Sequence, residues 1–230
     1  MKIKMDKRNL VFVTVDMVLF TIRNKELHVL LVKRALEPFK GMWALPGGFL
    51  RPEEELEAAA KRELYEETGV KNAFLAQLYT KGDIGRDPRG RVVTVVYYSL
   101  MDSSTVELKA STDAAEASWF SVKNLPKLAF DHEKIIQNAV ERIRNKIEYT
   151  NIAFQLLPEK FTLSELQSVY EIILDRNLDK RNFRKKVDEL NILKELKERK
   201  MEGIHRPARL YSFIMEKKES LFSAKKRITG

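Results

Sequence analysis

Glu63, Glu66 and Glu67 stand at i, i+3 and i+4 in a segment whose apolar positions Leu56, Ala60 and Leu64 recur every four residues. That pattern predicts a helix with one buried stripe and three carboxylates gathered on another face. Left alone, like charges at these spacings cost a helix roughly a few tenths of a kcal/mol per pair. A divalent cation reverses the sign. Carboxylate oxygens suit Mg²⁺ or Mn²⁺, ions that complete their coordination with water and substrate phosphates, so phosphate chemistry is implied. The turn Leu45-Pro46-Gly47-Gly48 can bring backbone close to the same ion because glycine tolerates conformations other residues avoid, and Arg62 can orient a carboxylate through two N–H groups.

Gly48, Glu54, Arg62, Glu63, Leu64, Glu66, Glu67, Gly69 and Val70 keep every position and spacing of the signature of the Nudix hydrolases, which the segment resembles. The resemblance implies hydrolysis of a nucleoside diphosphate linked to another moiety. In that family the residues matching Glu63, Glu66 and Glu67 bind Mg²⁺ (or Mn²⁺), the one matching Arg62 supports them, and the carbonyl matching Gly47 is a further ligand. The competing account of an acidic helical run is a solvated face.

The elements that must position these groups can be read from patterning. Leu10 to Arg23 and Leu27 to Lys33 read as a hairpin turned at Asn24-Lys25; Trp43 to Leu45 is a short strand. The helix is expected to start near Pro52, with Glu53 to Glu55 at the positive end of its dipole, and to stop at Gly69. Strands over Ala73 to Thr80, Val92 to Leu100 and Ala117 to Phe120 come next, then a helix from Glu133 to Tyr149 capped by Asp131, with His132 as a structural or cap contact. Between two of the strands, Arg86, Arg89 and Arg91 either mark an exposed hairpin tip or hold phosphate or a terminal sugar. That loop, with Asp113 to Phe120 and Leu128 to His132, resembles the ADP-ribose branch of the Nudix family, which favours substrate binding. Many members bring a further glutamate to the metal from a distant loop; Glu116, just before a strand, is the candidate here, and its alternative is a surface residue.

There is no cysteine in the 230 residues, which excludes disulfide scaffolds, thiolate zinc sites and cysteine nucleophiles. The apolar run from Val11 to Ile22 is too short to span a membrane and Asp16 interrupts it; no cleavage site comes after it. A cytoplasmic protein with no membrane partner is expected. The net charge of +9 is uneven: residues 151–230 carry 18 basic against 12 acidic side chains, residues 1–150 carry 24 against 21. Such an excess favours polyanions.

In that basic third, Thr162-Leu163-Ser164-Glu165 is a capping box opening a helix with Leu163, Leu166, Val169, Tyr170 and Ile173 inward. Asp179 caps a second helix, Lys180 to Leu190, with Phe183, Val187 and Leu190 inward and Lys180, Arg181, Asn182, Arg184, Lys185 and Lys186 outward. Two strands over 192–196 and 209–214, turning at Gly203, would add a wing carrying His205 and Arg206. By pattern alone the basic helix is either a solvated face or a DNA reader. The stretches Leu157 to Gln167, Asp179 to Lys186 and His205 to Tyr211 resemble the winged-helix half of the Nudix-related transcriptional regulators, which implies DNA binding as a homodimer under control of ADP-ribose or another small ligand. The resemblances together imply an α/β (α+β) chain: a Nudix α/β/α sandwich with a mixed sheet over 1–150, then a small winged helix-turn-helix domain over 151–230. Such regulators often lose catalytic glutamates. None is lost here, so one protein with both capacities is expected, and the alternative is a repressor that uses its Nudix half only as a sensor.

Overall fold

The computed structural model describes residues 10–102, 108, 114–201 and 207–214. By contacts the chain divides into two compact units. The first takes in the described residues up to Phe20, His28–Ser99 and the described residues from 108 to Ala139; the second takes Thr21–Leu27, residues 100–102 and the described residues from Val140 onward. The division falls inside the long helix rather than near Asn151, because the second half of that helix bonds to the C-terminal third of the chain: Arg144 Nε donates to the Ile173 carbonyl at 3.0 Å.

Seven strands form one sheet: β1 (Phe12–Arg23), β2 (Glu26–Arg34), β3 (Trp43–Ala44), β4 (Gly47–Phe49), β5 (Ala76–Lys81), β6 (Val92–Leu100) and β7 (Ala114–Ser121). The order is β3-β2-β1-β6-β5, with β4 also on β1 and β7 on β2. The central strands β1 and β6 are buried over nearly their whole length, so they read as continuous apolar runs rather than as an alternation. The glycine turn expected after β3 is itself a strand. Gly47, Gly48 and Phe49 pair antiparallel with Asp16, Val15 and Thr14, which fixes the turn to the middle of the sheet.

Helix α1 (Leu56–Thr68) ends as expected on Gly69, whose φ of 77° lies in the left-handed region. It starts one turn later than Pro52, since the Glu54 carboxylate turns in to Arg62. Helix α2 runs His132–Ile147. Its first turn is closed by the Asp131 carbonyl, while the Asp131 carboxylate is taken by Arg86 instead of capping.

In the second unit a 3₁₀ turn over Ile152–Leu156, which the patterning does not reveal, precedes α3 (Leu163–Leu174), α4 (Lys180–Leu190), β8 (Leu193–Lys200) and β9 (Ala208–Phe213). Both bonds of the Thr162–Glu165 capping box form, and the Asp179 carboxylate accepts from Asn182 N–H. Leu166, Val169, Tyr170 and Ile173 of α3 meet Phe183 and Val187 of α4 in the core, while Leu163 and Leu190 are half-buried. Phe161 and Tyr211 exchange two backbone hydrogen bonds, tying β9 to the start of α3.

Tyr170 is fully buried edge-on to Phe183, and its hydroxyl has no hydrogen-bond partner among the described residues. An unsatisfied buried hydroxyl carries its desolvation cost without return. Tyr170→Phe should therefore raise stability by about 1 kcal/mol, read as a higher midpoint in thermal melting; a lowered midpoint would mean that the hydroxyl has a partner.

Candidate functional site

The acidic cluster is organised by one guanidinium. Arg62 donates through Nε to Glu54 at 2.7 Å, through NH2 to Glu54 at 2.8 Å, and through NH1 to both Glu63 at 2.7 Å and Glu66 at 3.1 Å. Glu67 turns the other way and accepts the Gly47 N–H at 2.8 Å, joining α1 to β4. The two glycines permit this proximity sterically. A Cβ at Gly48 would fall 2.3 Å from a Glu63 carboxylate oxygen, and one at Gly47 would fall 2.2 Å from the Val15 carbonyl oxygen. Burial pushes the Glu67 carboxyl up to about 8, against the hydrogen bond from Gly47 and helped by the charges of Glu63 and Asp16; burial also raises Glu63.

Beneath the turn lies a polar group that the patterning does not assemble. Asp16, buried in β1, has an Arg86 nitrogen at 3.4 Å and His132 Nε2 at 3.8 Å. His132 Nδ1 accepts the Leu45 N–H at 2.8 Å, and burial lowers its pKa, so the ring is a neutral acceptor that pins the turn before Gly47. The one signal for Asp16 was a charge interrupting an apolar strand.

The predicted arginine loop is no bare hairpin tip. Arg86 is buried between Asp131 at 2.9 Å and Asp16, and Arg91 donates to the Gly82 carbonyl. Arg89 pairs with the buried Asp87 at 2.7 Å while its guanidinium lies 4.7 Å from the centre of the Phe49 ring and 5.5 Å from that of Phe130. Phe130 also packs edge-on to Phe39 at 4.8 Å, and both residues have left-handed backbones, with φ of 54° and 64°. Such conformations cost on the order of 1–3 kcal/mol each and persist where surrounding structure imposes them. Glu116 is not drawn into the cluster: it lies inside β7, exposed, opposite Lys33 and ion-paired to it at 3.7 Å.

In the second unit, α4 presents Lys180, Arg181, Asn182, Arg184 and Lys185 to solvent, with Asp188 and Glu189 at its far end. The strands beside it are tied by ion pairs of Glu195 with Arg209 at 2.8 Å, Glu198 with Lys160 at 2.8 Å, and Glu165 with Lys200. His205 and Arg206 lie outside the described residues.

Comparison with known proteins gives this geometry its relatives. A family model described as the NUDIX domain matches residues 13–139, and one described as the NrtR DNA-binding winged helix domain matches residues 153–213. The chain belongs to the NrtR family of Nudix proteins. It is 40% identical over 207 residues to the ADPR responsive transcriptional repressor NtrR of Acinetobacter baylyi, covering 88% of this chain and 82% of that one. An ADP-ribose pyrophosphatase of Methanocaldococcus jannaschii is 50% identical over 119 residues, 51% of this chain and 68% of its own length. Shewanella oneidensis NrtR, solved with a 27mer DNA, superposes with a TM-score of 0.76 at 36% identity, covering 94% of this chain and 96% of that chain. The Nudix domain of that same protein, solved with ADP ribose, gives 0.55 at 38% identity over 61% of this chain and 94% of its own.

The Nudix fold implies a divalent metal. Among the described residues no three acidic or imidazole side chains are already gathered as a cage, because Arg62 serves as the cation for Glu63 and Glu66. The donor set nevertheless fits a hard cation. Two carboxylates converge on one nitrogen, and the buried Glu67 has no ion-pair partner among the described residues.

These shifts have a measurable sign in the metal-free Nudix unit. Glu67 binds its proton more tightly folded, near 8, than unfolded, near 4.5, so its contribution is full below pH 4.5 and is lost as pH rises through about 8. His132, held neutral, acts in the opposite sense, losing stability only as pH falls through 6.5 and below. With chelator present, stability should decline from pH 6.5 to 8, and Glu67→Gln should remove most of that decline in thermal melts; an unchanged slope would exonerate Glu67.

Proposed function

We propose that this chain is an ADP-ribose-responsive transcriptional regulator whose Nudix unit also hydrolyses ADP-ribose or a related nucleoside diphosphate sugar to AMP and a sugar phosphate. What carries the reading is the coexistence, in one chain, of an unbroken Nudix box and a helix that exposes five polar and basic side chains opposite a buried apolar face. The relatives support both halves: one is named for its response to ADPR as a repressor, another as an ADP-ribose pyrophosphatase, and a structural neighbour was solved with DNA.

In the Nudix unit, Glu63, Glu66 and Glu67 would hold Mg²⁺ or Mn²⁺ with the Gly47 carbonyl. When bound, that ion neutralises the diphosphate and lowers the pKa of a water that attacks phosphorus. Arg62 sets the orientation of Glu63 and Glu66, and His132 holds the turn that bears Gly47. Glu116, exposed and paired with Lys33, has no support as a base. Of the loop arginines, Arg89 and Arg91 are exposed and would be open to a ligand, whereas the buried Arg86 side chain acts as an internal strut. A reading as sensor alone is favoured by one observation, the diversion of Glu63 and Glu66 to Arg62.

In the second unit, α4 would enter a major groove, with Lys180, Arg181, Arg184 and Lys185 on phosphates or guanine edges and Asn182 on a base. His205 and Arg206 would assist from the wing. A homodimer would read two half-sites about 34–36 Å apart. The functional division then runs Nudix 1–150 and winged helix 151–230, in a protein working in the cytoplasm; among the described residues no helix is long and apolar enough to cross a membrane.

AMP formation from ADP-ribose with Mg²⁺, wild type beside Glu67→Gln, separates the readings. Loss of turnover by roughly a hundredfold or more in the variant establishes the hydrolase; no turnover in wild type leaves the sensor. On a duplex selected from a random pool, Glu67→Gln should bind as wild type. Arg181→Ala or Arg184→Ala should weaken binding and reduce the salt slope by about 1 if the contact is to phosphate. Affinity indifferent to both arginines would remove α4 as the reader.

A further inference from the structure

Helices α3 and α4 are joined by a short turn, and one acid of α3 closes it. Asp175 ends α3 in the left-handed region, at a φ of 53°, and the Glu171 carbonyl accepts the N–H groups of both Asp175 and Arg176, the latter at 3.2 Å. The Glu171 side chain reaches past the turn. One of its carboxylate oxygens accepts the Leu178 N–H at 2.9 Å and the Gln167 side-chain amide, also at 2.9 Å. The same Gln167 amide donates to the Leu178 carbonyl at 3.0 Å. Gln167 and Glu171 stand at i and i+4, so they share one face of α3 and hold Leu178 by its backbone donor and its backbone acceptor at once.

Leu178 directly precedes Asp179, the cap of α4. The apolar anchor of α4 is thin: of its eleven residues two, Phe183 and Val187, are buried, and they stand one turn apart. Two points of attachment leave a body one rotation, and a third removes it. The bonds to Leu178 supply the third, at the end of the helix where Lys180, Arg181 and Asn182 lie. Glu171 makes no ion pair among the described residues, so its charge serves to strengthen these hydrogen bonds. Reading a base requires side chains held to roughly 0.5 Å and 10–20°, whereas attraction to phosphates is independent of sequence and tolerates misorientation. A residue that aims α4 without touching nucleic acid therefore acts on discrimination and leaves charge attraction alone.

We propose that Glu171, with Gln167 one turn before it, is a positioning residue for sequence readout: the pair clasps the Leu178 backbone and so sets the angle at which α4 presents Arg181, Asn182 and Arg184 to base edges. The role rests on the reading of α4 as the DNA reader, and it places a determinant of specificity on the helix that does not enter the groove.

The test is fluorescence anisotropy of the full chain with two labelled duplexes of equal length, one selected from a random pool and one unrelated to it. Glu171→Ala should weaken binding to the selected duplex by about tenfold or more, keep affinity for the unrelated duplex within about twofold of wild type, and leave the salt slope unchanged. Glu171→Gln keeps an oxygen for both donors and should restore most of the discrimination. Gln167→Met, which retains the length of the side chain and removes its amide, probes the same clasp without touching the carboxylate and should lose discrimination in part. If wild type discriminates between the duplexes and Glu171→Ala and Gln167→Met discriminate equally well, the DNA reading stands and the positioning role falls. An equal loss on both duplexes in these variants, with a lowered melting midpoint, would make the clasp a matter of stability alone and also overturn it. If wild type binds the two duplexes alike, the reading of α4 falls and the positioning role with it.

Discussion

Arg62 holds the Nudix site together. A single guanidinium, mostly buried, satisfies Glu54 with two N–H groups and Glu63 and Glu66 with a third nitrogen. Without it, α1 would carry like charges one turn apart on a face that packs towards β4. Glu54 shows how strongly this contact competes with local propensity. Its side chain is drawn back to Arg62 and the chain before Leu56 turns rather than coils, although Pro52 and three glutamates favour an earlier helix start. A guanidinium bridging three carboxylates is a cation of the protein's own, set among the acids of α1 and the turn before it.

Glu67 is the counterpart. It is held by a backbone amide and surrounded by Asp16, Glu63 and the low polarity of the sheet, so the turn that brings Gly47 close also makes the carboxyl reluctant to ionise. Asp16, Arg86 and Asp131 continue the network under the turn, alternating in sign, and the neutral ring of His132 lies against Asp16. Breaking one member leaves a buried charge uncompensated, which is far more costly than the net worth of the contact.

The acidic box was legible because its meaning lies in spacing along one helix, where i, i+3 and i+4 translate directly into a face. The capping box at Thr162 and the cap at Asp179 were legible for the same reason, each being a contact within four residues. Glu116 shows where such reading ends. Whether a strand residue faces a distant helix depends on register, and the pairing of β7 with β2 sets Glu116 opposite Lys33. Asp16 sits far in sequence from Arg86 and His132, and no spacing rule joins β1 to either. The arginine loop is visible in composition, but composition cannot tell a buried arginine from an exposed one: Arg86 and Arg89, three residues apart, differ because one is enclosed with Asp131 and the other pairs with Asp87 at the surface.

Helix α4 has its charges the wrong way round. Basic residues crowd its first turns and Asp188 and Glu189 lie near its end, so apart from the Asp179 cap the charges at both ends oppose the backbone dipole, with no acid in the first turn and no base in the last. The Asp179 cap and the buried Phe183 and Val187 keep it wound regardless. The helix is thus electrostatically frustrated when free, and a row of phosphates, if it is the DNA reader proposed above, would relieve the frustration at the very end where it is greatest. Salt would then act on such a helix in opposite directions, steadying it in isolation while loosening any hold on a nucleic acid, so that ionic strength would set how ordered it is before a polyanion arrives.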